Sequence, residues 1–188
     1  RRACRTLANT TLGNKRERDA LVMFAERFAV PVERPPDRFA RVCAVAPRFI
    51  IEVRGRVDGK ATVDGRRTVL EVKTRTRRLY RAIADAERTQ IEFYLRLLDC
   101  ADGILVEVFD CAMATHHYAR NDEFYRKVVT RLAAFCARFA DFLDSRAARL
   151  AYVRLHDSAR AEFVAAMIRG EPFSPAADSA GRRAADSR

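Results

Sequence analysis

The chain has 188 residues and a formal net charge of +11, from 36 Lys and Arg against 25 Asp and Glu. Such a length suits one globular domain that buries roughly two-thirds of its unfolded surface, and the basic excess favours a polyanionic partner, nucleic acid above all. No apolar run approaches the ~20 residues of a membrane span. Five scattered cysteines (Cys4, Cys43, Cys100, Cys111 and Cys136) without Cys-x-x-Cys spacing argue against a disulfide framework or zinc ribbon. They fit a reducing intracellular compartment, cytoplasm or nucleus.

Residues 1–12 carry few periodic apolar positions and read as an arm or partial helix; no secretory signal is evident, and the opening on Arg1 leaves room for a missing start. A helix follows from about Asn14, with Leu21, Phe24, Ala25 and Phe28 on one face. Glu17 shares that face, where a carboxylate either satisfies the helix dipole or serves a site. Pro31, Pro35 and Pro36 end the helix, and residues 39–45 read as a short strand.

The stretch IIEVRGRVDGKATVDGRRTVLEVKTRTRR, residues 50–78, reads as a β-hairpin. Two β-rich runs, 49–63 and 67–74, flank Asp64-Gly65, a strong signal for a two-residue type I′ turn. Counting outward from that turn puts Asp58 opposite Glu71 and Arg56 opposite Lys73. Opposed residues of an antiparallel pair have Cβ atoms roughly 5 Å apart, where like charges destabilise the sheet. Glu71 and Lys73 share a strand face. The expected arrangement is two converging carboxylates beside one ammonium, for which a hard divalent cation is the simplest compensation. Asp64 is fully explained by its turn.

Downstream, a helix is expected over about 79–98, with Ile91, Tyr94, Leu95 and Leu98 as its apolar stripe and Gln90 four residues before Tyr94. Ala101-Asp102-Gly103 breaks it, ILVEVF (104–109) reads as a buried strand, and 112–118 as another. His116 and His117, neighbours on a strand, face opposite ways, and His156 is isolated; none is read as a ligand. A long amphipathic helix begins near Asn121 and a shorter one spans 158–169, ending at Gly170. From 171 to 188 the composition predicts disorder, leaving 1–170 as a single domain. Helices on both sides of a mixed sheet, an α/β architecture, is the natural arrangement for this order.

GRVDGK, then VLEVKTR, then TQIEFYL resemble the PD-(D/E)XK nuclease superfamily, most closely its RecB-like and lambda-exonuclease (YqaJ-like) branches. In that pattern Asp58 matches the first acid, Glu71-Val72-Lys73 the Glu-x-Lys, Gln90 and Tyr94 the helical Gln-x-x-x-Tyr, and Glu17 the acid of an upstream helix. RNDEFYRKVV is similar to the closing helix of the phage-type exonucleases, so the likeness extends over residues 13 to 140. The resemblance implies a restriction-endonuclease-like αβββαβ core with added C-terminal helices. It also implies Mg²⁺ or Mn²⁺ held by Asp58, Glu71 and the Val72 carbonyl, with Lys73 orienting water or neutralising charge. The implied activity is metal-dependent hydrolysis of DNA, with RNA left open, by an exonuclease of recombination, repair or genome processing. Lys60, Arg75, Arg77 and Arg78 surround the motif as candidate nucleic-acid contacts, the Arg forks matching phosphate geometry, with a solvated charge run as the competing account. The cysteine set of the family's iron–sulfur members is missing, so no cluster is implied. A non-catalytic nucleic-acid-binding module with the same fold is the competing expectation.

Overall fold

The structure is a computed structural model that describes residues 2–36, 38–46 and 49–172. In chain order its elements are α1 (Arg2–Phe28), β1 (Val32–Glu33), β2 (Phe39–Ala46), β3 (Phe49–Gly55), β4 (Gly59–Val63) and β5 (Arg66–Thr74). They continue as α2 (Asp85–Leu97), β6 (Asp102–Phe109), β7 (Ala112–Ala119), α3 (Asp122–Asp144), α4 (Arg146–Arg154) and α5 (Asp157–Arg169). Two compact units result, one from residues 1–41 and 53–126, the other from 42–52 and 127–188.

The first unit is α/β. Its five-stranded mixed sheet has the order β1-β4-β5-β6-β7. β5 and β6 are parallel, joined through the crossover helix α2, while the other neighbours are antiparallel. The β4–β5 hairpin turns where the sequence predicts: Asp64 and Gly65 have φ of 50° and 76°, both positive as a type I′ turn demands. Val63 therefore opposes Arg66 and Gly59 opposes Leu70.

Strand alternation gives the sheet two covered faces. Leu70 and Val72 of β5 join Ile104, Val106 and Val108 of β6 in one core with Ala20, Leu21 and Phe24 of α1. Val69 of β5 and Leu105 of β6 join Ile91, Tyr94 and Leu95 of α2 in the other. A helix on each face explains why β5 and β6 read as near-continuous apolar runs. Glu71, Lys73 and Glu107 belong by alternation to the α2 face.

The second unit contains an aromatic core at the helical C-terminal end. Phe142 packs against Tyr152 and Phe163 with ring centroids 5.7 and 5.3 Å away, and Phe139 stacks 5.8 Å from Phe135. His156 caps α5 by accepting from the Ala159 N–H, and Gly170 closes it at φ 78°.

Several boundaries differ from the sequence reading. α1 runs from Arg2, so residues 2–12 are helical, the second of the two readings for that stretch. The expected long strand 49–63 is broken: β3 pairs with β2, and pairing with β5 starts only at Gly59, which leaves Arg56 outside the ladder instead of opposite Lys73. α2 begins at Asp85 and not at 79, with Glu87 accepting the Ala84 N–H at the helix start. The short helix α4, capped by Ser145, was not anticipated. Most of the tail expected to be disordered, residues 173–188, lies outside the described residues. Among the described residues no helix is long and apolar enough to cross a membrane.

Candidate active site

The break in the strand at residues 56–58 is what makes the site. Asp58 sits one residue before β4, at the position that would oppose Glu71, and its side chain turns onto β5: Oδ2 accepts the Val72 N–H at 2.8 Å. Glu71 is 2% exposed. Its Oε1 accepts from Lys73 Nζ at 2.5 Å, while Oε2 is buried with no hydrogen-bond partner. Lys73 Nζ also donates to Gln90 Oε1 at 3.0 Å, and Gln90 Nε2 donates to the Tyr94 hydroxyl at 3.0 Å. An ammonium can only donate, so the Gln90 oxygen must face Lys73 and its NH₂ must face Tyr94.

Electrostatics match this crowding. Burial, then the charge of Asp58, pushes the Glu71 carboxyl up to about 7 against an ordinary 4.5, with Lys73 only partly opposing the rise. Burial also raises Asp58, aided by the charge of Glu17 and countered by the Val72 N–H and Lys73. Desolvation raises Tyr94, with Glu71 and Asp58 adding to the effect. Two acids on one low-dielectric face thus resist ionising together.

Glu17 on α1 is near enough for its charge to act on Asp58, and it is ion-paired with Arg34. Asp58, Glu71, Lys73, Gln90 and Tyr94 are therefore one connected group, and Glu17 stands beside it with a cation of its own. Among the described residues no group of three or more His, Cys, Asp or Glu is placed to hold a metal. Two converging carboxylates, one with an orphaned oxygen, still fit magnesium, which keeps several waters and takes one or two protein carboxylates.

The basic residues divide. Lys60 Nζ lies 5.5 Å from the centre of the Phe39 ring. Arg77 and Arg78 are exposed in the β5–α2 connection. Arg75 is not an outward phosphate ligand: Nε donates to Glu107 Oε1 at 2.6 Å, Nη1 meets Glu87 Oε1 at 2.7 Å, and the side chain is 13% exposed. Its partner acid decides this, because a guanidinium flanked by two carboxylates has no reason to face solvent.

Two buried carboxylates escaped the sequence reading. Glu107 and Glu92 are both fully buried. Glu92 on α2 accepts from Arg96, from the Tyr118 hydroxyl at 2.8 Å and from the Asn121 N–H at 3.0 Å, joining α2 to β7 and the start of α3. Glu107 accepts the Tyr80 N–H at 2.9 Å and faces His116 Nε2 at 3.2 Å. His116, read as uninvolved, thus belongs to a buried polar cluster. The available signal was a lone acid inside ILVEVF, since a charge in a fully buried strand must be paired.

No protein-family model and no curated protein matches the chain. It is similar to a solved structure, the crystal structure of SSO0001, at 20% sequence identity and a TM-score of 0.52, over 73% of this chain. It spans 62% of that chain's length. A likeness this distant bears on the fold alone.

Proposed function

We propose that the α/β unit is a PD-(D/E)XK-type nuclease that hydrolyses DNA phosphodiester bonds with Mg²⁺ or Mn²⁺. One observation carries the reading: Asp58 and Glu71 converge over β5, with Glu71 Oε2 buried and unpartnered and Lys73 against the other oxygen. Such a pair is costly to ionise fully, and either a proton or a cation relieves it; at pH above 7 the cation is the remaining option.

Asp58 and Glu71 would hold the metal, with the Val72 carbonyl as the neighbouring backbone donor. When bound, a divalent cation supplies the Lewis acidity that draws charge from a phosphate and acidifies water. Lys73 brings a positive charge that the Gln90 contact holds in one orientation, suited to stabilising charge that develops on the phosphate. Tyr94 fixes Gln90 in turn, so these two act by positioning Lys73. Glu17 biases Asp58 through its charge and would join the metal only on releasing Arg34.

The test is incubation of the purified chain with end-labelled linear DNA and Mg²⁺. Wild type should degrade it, EDTA should abolish the reaction, and Lys73→Ala should lower the rate by about 10²–10³-fold. Asp58→Ala should lower it at least as far. No cleavage by wild type, or cleavage by either variant at the wild-type rate, would overturn the reading.

A second reading, a nucleic-acid-binding module without turnover, is favoured by the net charge of +11 and the exposed Arg77 and Arg78, which attract a polyanion whether or not a metal is held. It gives salt-sensitive DNA binding and no metal-dependent cleavage in the same experiment.

A further inference from the structure

The connection from β5 to α2, residues 75–84, has no regular secondary structure, yet it is fastened at three places. At its start the Arg75 N–H bonds the Val108 carbonyl at 2.8 Å, and the Arg75 guanidinium grips Glu107 of β6. In the middle, the Tyr80 N–H bonds Glu107 Oε2 at 2.9 Å and the Tyr80 ring lies 4.3 Å beneath the Arg75 guanidinium. At its end Glu87 holds the other edge of Arg75 and accepts the Ala84 N–H at 3.2 Å. Burial disfavours a charged Glu87, but Arg75 and that N–H hold its carboxyl below the usual range.

What this bridge holds up is a set of cations. Arg77, Arg78 and Arg81 are exposed in the same connection, and none has an ion-pair partner among the described residues. They follow directly on the strand that carries Glu71 and Lys73. A free guanidinium on a fastened backbone is preorganised for phosphate, since little ordering remains to be done on binding.

We propose that the β5–α2 connection is a clamp for the sugar-phosphate backbone of nucleic acid, with Arg77, Arg78 and Arg81 as its contacts and Glu107 as the buried positioning residue that holds it through Arg75 and Tyr80. The proposal deepens the nuclease reading and rests on it for the class of ligand. It transfers Arg75 from the contacts to the brace and gives Glu107 a role in binding without touching the ligand.

Binding of a fluorescent duplex, followed by anisotropy in EDTA at several salt concentrations, tests it apart from cleavage. The triple variant R77A/R78A/R81A should lower the slope of log K against log salt by about 2–3, close to 0.9 per lost phosphate contact. R146A/R149A/R154A, which removes the same charge from exposed positions of α4, should leave the slope within about 0.5 of wild type. Glu107→Gln, which removes no surface charge, should reproduce much of the triple variant's loss and open residues 77–81 to trypsin. Should that variant fail to fold, Arg75→Gln breaks the same bridge and leaves Glu107 its Tyr80 and His116 contacts. A wild type that does not bind at low salt, a triple variant indistinguishable from the α4 control, or bridge variants with the wild-type slope would each overturn the clamp. A lowered slope in a chain that never cleaves would retain the clamp and remove the nuclease. Normal cleavage with an unchanged slope would do the reverse.

Discussion

At Glu71 two penalties meet, loss of hydration and the nearby charge of Asp58, and together they set its proton affinity. With its carboxyl pushed up to about 7 from an ordinary 4.5, the folded metal-free chain binds more protons than the unfolded chain between those two values. Stability in the absence of metal therefore falls as pH rises through that window, by an amount on the order of 3 kcal/mol. The contribution is fully present below about pH 4.5 and gone above about 7. Glu71→Gln removes the titration, so at pH 8 without metal it should melt above wild type, and the difference should vanish near pH 5. Melting curves at the two pH values check this; equal melting temperatures at pH 8 would mean that Glu71 carries no such penalty. The same logic predicts that the proposed metal binding weakens below pH 7, because protons and cation would compete for one carboxylate.

At the level of elements, the sheet positions the site and α2 locks it. Gly103 of β6 admits α2 closely: a Cβ there would stand 2.7 Å from Ile91 Cγ2. Gly103→Ala should cost about 1–3 kcal/mol in urea denaturation, since Ile91 is fully buried and has nowhere to move. An unchanged midpoint would show that α2 can drift from the sheet. Gly55, at the end of β3, leaves room for the Tyr94 ring in the same way: a Cβ there would stand 2.5 Å from Cε1. How much of this was legible in the sequence depends on the range of the interactions. Asp64-Gly65 fixed the β4–β5 register because a two-residue turn leaves no freedom in counting outward, and that register brought Asp58 over β5. The strand break at 56–58 was not legible, since β2 competes for the residues of β3 and nothing local announces it. The start of α2 differs for the same reason: helical periodicity continues upstream of Asp85, but Arg75 and the Tyr80 N–H tie the residues before it to Glu107, a buried acid far along the chain. Arg75 looked like its neighbours Arg77 and Arg78 until the fold brought Glu107 and Glu87 to it.

At the scale of the whole molecule, charge and site point the same way. A net charge of +11 raises the local concentration of a polyanion and makes its binding strongly salt-dependent. Attraction alone would not require two buried acids to converge on one strand, because carboxylates repel the backbone that the arginines attract. In the proposed nuclease a cation between acid and phosphate offsets that repulsion, and this is the claim on which the proposal rests. Counting bound Mn²⁺ by electron paramagnetic resonance at pH 8 addresses it without assuming a substrate. Wild type should bind Mn²⁺ near stoichiometrically and lose it on acidification to pH 5, while Asp58→Ala and Glu71→Gln should bind at least ~10-fold more weakly. Mn²⁺ held equally by all three chains, or by none of them, would contradict a shared cation at Asp58 and Glu71.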